Sequence, residues 1–379
     1  LSTYAESMAQ LQTALTEHLQ NTESMLRSLT EAIAATHNQA TALETRVAAL
    51  EADTPDIPDT TPPITPAPAN ENWLRVQGNK FIDSSGAVWV GRGVNVHDCR
   101  SCDACEGVAP ADMQRELRRR VDFAIGLGAN FFRLCLESGE NNLPYERDPD
   151  YRQSTIDLVS YIGSKGCRVL VAPWDFKGLI IDDQGVPTDA AIATWMAIAA
   201  DLADQGHVLY GLCNEPEQNY AGADDARRIA QYVKLINAIR SVESSRRKPN
   251  HIIVVQALGG WSSNWGSLLR YNFGDTQIAY EVHEYSHVEY WDTEVFTPAQ
   301  SKAVIVGEFG PAPNGDYMTN AETRTFMTRM RAAGITWAAW TLHMRCPPNL
   351  LVDNSNWGCG RDMVLALTPW GQAVADNLR

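Results

Sequence analysis

The chain has 379 residues, 44% hydrophobic, 8% aromatic and 20% charged, a composition that excludes a wholly disordered protein and permits a large buried core. With 46 acidic against 31 basic residues the formal charge is −15, which opposes nucleic acid, polyphosphate and anionic lipid as partners and favours a neutral or cationic one. No run approaches the ~18 consecutive apolar residues of a membrane span, and since the first residue is Leu1 rather than Met, any signal peptide or anchor upstream is invisible in it.

Residues 1–52 contain neither Pro nor Gly, and their apolar positions recur every three or four residues. Leu1, Tyr4, Met8, Leu11 and Leu15 begin one seam; Leu26, Leu29, Ile33, Ala40, Leu43, Val47 and Leu50 form a second, with a stutter near Met25. A long helix with one narrow apolar stripe has no core of its own, so a coiled-coil stalk that joins copies of the chain is expected. The seam does not separate two strands from three. Residues 53–72 carry Pro55, Pro58, Pro62, Pro63, Pro66 and Pro68 among Thr, Asp and Ala. Repeated proline forbids helix and predicts an extended linker.

From residue 73 to the end, short β-rich runs alternate with amphipathic stretches. A small hairpin is predicted over 74–76 and 80–83, turning at Gly78-Asn79. Strands are then predicted over 88–96, 131–136, 168–174, 208–215, 252–257, 278–285, 303–309 and 336–342. Helices are predicted over 111–127, 155–165, 189–203, 224–242, 321–333 and 369–378, with short or irregular connections after the fifth and sixth strands. Eight strands alternating with helices predict an α/β fold, a closed (β/α)8 TIM barrel. An open doubly wound sheet is the alternative, but no glycine-rich phosphate fingerprint follows the first strand.

A barrel places its active site at the carboxyl ends of its strands. There Arg133 ends Phe-Phe-Arg, Asn214 and Glu215 end the fourth run, His283 and Tyr285 the sixth, and Glu308 the seventh. Glu215 and Glu308 would face each other across the mouth. Two opposed carboxyls are what glycosidic cleavage requires, one donating a proton to the departing oxygen and the other attacking or stabilising the anomeric carbon. Barrel mouths also hold carboxylates in inert ion pairs, and that reading weakens when both appear together, one after Asn and the other after Gly.

Asn214-Glu215-Pro216, His283-x-Tyr285, Gly307-Glu308-Phe309-Gly310, Arg133 and Trp340 together resemble glycoside hydrolase family 5, the cellulase family of retaining (β/α)8 glycosidases. The stretches 76–80 and 91–95 are similar to its opening hairpin and first strand, so the resemblance covers about Trp73 to the end. It implies Glu215 as general acid/base and Glu308 as nucleophile, with Asn214 on the sugar 2-hydroxyl, Tyr285 and Arg133 positioning Glu308, His283 orienting the acid/base, and Trp340 stacking under the sugar. One departure stands out: the family commonly has His near the end of the third strand, where this chain has Trp174 and Asp175. His97, after the first strand, is a candidate substitute.

Sugar faces pack on aromatic rings, and Trp174, Trp261, Trp265, Tyr290, Trp291, Trp340 and Trp357 all fall at or after predicted strand ends, whereas Trp195 and Trp337 read as core. Cys135, Cys167 and Cys213 read as buried thiols. Among the loop cysteines Cys99, Cys102, Cys105, Cys346 and Cys359, a Cys346–Cys359 disulfide and one bridge in the first group are expected. The C-x-x-C-x-x-C spacing invites iron–sulfur or zinc, but Glu106-Gly107-Val108 follows where a ferredoxin run has its last Cys and Pro, so no metal and no cofactor is expected.

The expectation is a secreted or cell-surface, self-associating endo-β-1,4-glucanase, with β-1,4-mannanase or another β-glycanase of the same family second. A carbohydrate-binding adhesive module without turnover is the reading from another class.

Overall fold

The computed structural model describes residues 73–97, 110–138, 143–175, 180–182, 184–216, 225–312, 317–353 and 364–379. The expected stalk over 1–52, the linker over 53–72, Cys99, Cys102, Cys105, Trp357 and Cys359 lie outside them.

An antiparallel sheet comes first, made of β1 (Arg75–Gln77), β2 (Lys80–Ile82) and β3 (Val88–Trp89). Its first two strands form the expected hairpin, pairing Val76 with Phe81 across a turn in which Gly78 takes φ +63°. The single strand expected over 88–96 is two: β3 stays on the small sheet and β4 (Arg92–His97) starts the barrel. The chain changes sheets at Gly91, where a Cβ would overlap the side chains of Trp89 and Thr336 that fill the corner.

The remaining strands are β5 (Phe131–Ser138), β6 (Arg168–Asp175), β7 (Val208–Gly211), β8 (Ile252–Gln256), β9 (Ile278–His283), β10 (Val304–Glu308) and β11 (Thr336–Ala339). All pairs from β4 to β11 are parallel, and β11 pairs back onto β4, closing an eight-stranded barrel in chain order. Around it lie α1 (Pro110–Leu127), α2 (Pro149–Ser164), α3 (Ala190–Leu202), α4 (Asp225–Ser245), α5 (Asn320–Ala333) and α6 (Pro369–Leu378). Helix α2 starts at Pro149 rather than 155, because Asp148 accepts the Tyr151 N–H at 3.0 Å and Pro149 takes the first helical position. After β8 and β9 the connections hold only short turns, Leu268–Arg270, Asp292–Phe296 and Pro298–Gln300.

Strand alternation divides the core into two layers. Outward residues such as Phe132, Leu134, Val169, Val171 and Tyr210 pack with the helices. Inward residues Phe131, Leu170, Leu209, Ile252, Val254, Ala279, Ile305 and Ala338 fill the barrel, with Leu74 and Phe81 in the same cluster. Two residues further along each strand, the same inward parity gives Asn95, Arg133, Gln256 and Glu281, all fully buried. The barrel interior thus turns from apolar to ionic toward its carboxyl end.

Candidate active site

Arg133 follows Phe131 into the barrel and is fully buried. An unpaired guanidinium there would be strongly destabilising. All three of its nitrogens find carboxylate or amide oxygens: Nε donates to Glu281 Oε1 at 2.6 Å, Nη1 to Glu308 Oε1 at 2.8 Å and Asn95 Oδ1 at 3.1 Å, and Nη2 to Asn214 Oδ1 at 2.6 Å. Burial works against its charge, and its neighbours, led by Glu281, outweigh burial and hold the proton.

Glu308 reaches this cation through a backbone irregularity. The pairing of β10 with β9 slips between Val306 and Glu308, so that Glu308 lies opposite His283. Such a bulge re-aims a side chain. At Gly307 any Cβ would overlap the Glu281 carboxylate, so the missing side chain leaves room for that group. The Glu308 side chain is 6% exposed, and its Oε2 accepts from the Tyr285 hydroxyl at 3.0 Å. Burial raises its pKa; His283 and Arg133 pull it down, Glu215 pushes it up, and the net direction is upward.

Glu215 lies beyond its strand, because β7 ends at Gly211 and not at 215. Its φ of +43° is unusual for a residue with a side chain. The side chain is 17% exposed, and its Oε1 is 2.8 Å from His283 Nδ1. Contact atoms of Glu215, His283 and Glu308 all lie within 4.8 Å of one another. A cation shared by these three would meet the permanent charge of Arg133 on the Glu308 oxygen, so the arrangement suits proton transfer better than metal binding. His283 Nε2 lies 3.2 Å from Glu281 Oε1. Burial lowers the His283 pKa, but Glu308, Glu215 and Glu281 overcome it and raise it to about 9, so the imidazolium holds at neutral pH.

The aromatic residues separate. Glu215, Glu308, His283, Tyr285, Trp261, Tyr317, Trp340, Pro347 and Pro348 line one cleft of about 610 Å³. Trp261 is half exposed there. The Trp340 carbonyl accepts from Trp370 Nε1 at 2.8 Å, and its ring packs 5.4 Å from Trp174 and 5.3 Å from His97. His97, the candidate for the missing third-strand His, is clustered with Trp174, Trp340 and His343. Asp175 ends β6, and its side chain lies outside the described set.

Trp291 is a correction. It is wholly buried, with Nε1 donating to Ser286 O at 2.9 Å and its ring 4.8 Å from Phe326, so it has no face to offer a glycan. Trp265 is likewise buried, its Nε1 on Glu294 O at 2.7 Å. Tyr290 is exposed, and Trp195 and Trp337 are core residues. Cys135, Cys167 and Cys213 are buried, and burial pushes the Cys213 thiol up to about 12. Cys346 is half-buried, while its expected partner lies outside the described residues.

Sequence reasoning missed Glu281, Gln256, Tyr317 and the part played by Asn95. For Glu281 a signal existed, since it stands two residues before His283 and shares its face of β9.

The family described as Cellulase (glycosyl hydrolase family 5) matches residues 118–345. An endoglucanase of Clostridium saccharobutylicum is 23% identical over 278 residues, 71% of this chain and 56% of that protein. Endoglucanase C of Evansella cellulosilytica is 23% identical over 259 residues, 57% of this chain and 30% of that protein. This chain therefore spans little more than half of the one relative's length and under a third of the other's. Among solved structures, the catalytic domain of Thermobifida fusca endoglucanase Cel5A matches with TM-score 0.63 at 21% identity, covering 81% of this chain and 97% of that one. A mannanase catalytic domain of Streptomyces sp. SirexAA-E matches with TM-score 0.59 at 19% identity, covering 81% and 90%. At such identities the likeness speaks for the fold.

Proposed function

The chain belongs to the cellulase family, glycosyl hydrolase family 5, and from that premise we propose that it is a retaining endo-β-1,4-glucanase. The observation that carries this reading is the approach of Glu215 and Glu308 to within 4.8 Å in a cleft beside His283. Retaining glycosidases hold their carboxyls ~5–5.5 Å apart, whereas inverting ones need ~6.5–9.5 Å to admit a water. The curated relatives named above are both endoglucanases, which favours β-1,4-glucan over mannan.

Each role follows from placement. Glu308 is the deeper carboxylate, and its two oxygens accept from Arg133 and Tyr285, an orientation that suits attack on the anomeric carbon. Glu215 is the more open one, which suits proton exchange with a leaving alcohol and an incoming water, and the 2.8 Å contact with His283 holds its carboxyl in line. Glu215 protonates the leaving oxygen as the bond from Glu308 to the sugar forms, then takes a proton from the water that breaks that bond. Asn214, turned by Arg133, is left to meet the sugar 2-hydroxyl. Trp340, Trp261 and Tyr317 supply stacking faces. A non-catalytic binding module would have no use for two carboxyls held so close together, one of them buried against a guanidinium.

NMR of the first product released from cello-oligosaccharides tests retention: the β-anomer is expected, and the α-anomer would overturn the assignment. Rates on glucan, mannan, xyloglucan and xylan rank the substrates. A neutral extracellular polymer goes with a secreted or surface location and with avidity from a self-associating stalk at residues 1–52.

A further inference from the structure

We propose that Gln256 is a positioning residue for Glu215, acting from behind the cleft without touching substrate. This rests on the reading of Glu215 as acid/base. Gln256 ends β8 with the inward parity of Val254, is fully buried, and is not part of the cleft wall. Its Oε1 accepts from the Glu215 backbone N–H at 2.6 Å and from the Ser262 hydroxyl at 2.8 Å. Those two donors fix which way the amide points, so its NH2 donates to the Glu281 carboxylate, the same group that His283 Nε2 approaches at 3.2 Å.

Backbone conformation gives the second argument. Among the described residues, four that are not glycine have positive φ; two of them, Glu215 (+43°) and Ser262 (+62°), donate to this one amide, and a third, Trp261 (+56°), immediately precedes Ser262. Such conformations persist only where surrounding contacts impose them. The Ser262 carbonyl in turn accepts the His283 N–H at 3.0 Å. One amide therefore ties the segment carrying Glu215, the loop carrying Trp261, and the strand carrying His283. Without its oxygen, the Glu215 backbone loses the partner that holds its left-handed turn, and the carboxyl moves off His283.

The test compares Gln256→Met, which keeps the shape, and the milder Ser262→Ala with wild type and Glu215→Ala. Two substrates are used: soluble β-1,4-glucan, whose leaving alcohol needs a proton, and 2,4-dinitrophenyl β-cellobioside, whose phenolate leaves without one. For Gln256→Met, kcat on glucan should fall roughly 10- to 100-fold with KM changed less than about twofold, since general acid catalysis contributes about 10²–10⁴. Pre-steady-state release of dinitrophenolate should be nearly unchanged. Azide should raise its steady-state turnover and give β-cellobiosyl azide, because azide attacks the anomeric carbon, displaces the Glu308 carboxylate and needs no general base. Ser262→Ala should show the same pattern at a few-fold. Equal losses on both substrates with no azide effect, in either folded variant, would overturn the role of Gln256. Failure of azide to rescue Glu215→Ala would instead overturn the acid/base assignment beneath it.

Discussion

Two histidine–glutamate pairs occupy opposite ends of the barrel strands, with nearly equal contact distances. At the amino end, His251 Nδ1 lies 2.7 Å from Glu243 Oε1; at the carboxyl end, His283 Nδ1 lies 2.8 Å from Glu215 Oε1. The first pair is saturated. Glu243 also accepts the His251 backbone N–H and Arg240 Nη1, and His251 Nε2 is at Gln205 O, with the imidazole packed between Trp73 and Tyr210. The second pair opens on a cleft and has another carboxylate as neighbour. Chemistry here depends on the lone pairs left available and on the like charge alongside, not on the residue types.

The largest effect expected from this contrast is at the mouth: Glu308→Ala should lower kcat by about 10⁴-fold or more, on the scale of lost covalent and acid–base catalysis. Glu243→Gln should leave kcat within about twofold and cost roughly 1–3 kcal/mol of stability in denaturant titration. Activity loss in the Glu243 variant matching its mouth counterpart would break the contrast. The tryptophans sharpen it. Trp291→Ala should cost about 3–5 kcal/mol through the cavity it leaves, with KM preserved, whereas Trp261→Ala should raise KM by a few-fold and leave the thermal midpoint in place.

The pH profile follows the same division. Activity should rise only above the ordinary carboxylate range, where Glu308 ionises, and decline as pH passes about 9, where His283 loses its proton. His283 has a folded pKa above its ordinary 6.5, so its contribution to stability is complete below about 6.5 and is lost as pH rises through about 9. Glu284 offers the smallest test. Burial and the neighbouring carboxyl of Glu294 push it up to about 10 from an ordinary 4.5, so stability falls with rising pH between those values as the unfolded chain ionises and the folded one does not. Glu284→Gln should be more stable than the parent at pH 8, by on the order of 1–2 kcal/mol, and equal to it near pH 4 in thermal melts.

The fold was legible because parallel strands buried on both faces leave continuous apolar runs, and the polar residues that interrupt them mark the mouth. Glu215, Glu308, Arg133 and His283 stood out for that reason. What escaped depended on geometry that periodicity does not encode. The bulge at Gly307 decides which way Glu308 points, and the turn at Asp292–Phe296 buries the Trp291 beside it. Gln256 is not legible in the same way, because it lies inside the apolar run predicted over 252–257 rather than at its end. The early start of α2 is encoded in Asp148-Pro149, a cap and a first-turn proline that apolar spacing does not register.

The guanidinium of Arg133 is bonded to side chains from β4, β9, β10 and the segment after β7. Distances among the reacting groups are thereby written into the barrel staves, beneath the peptide strung above them. A designer who grafts new rim segments onto this scaffold should be able to change which polymer lies down in it while the bond-breaking apparatus stays in tune. Altering the staves would do the reverse.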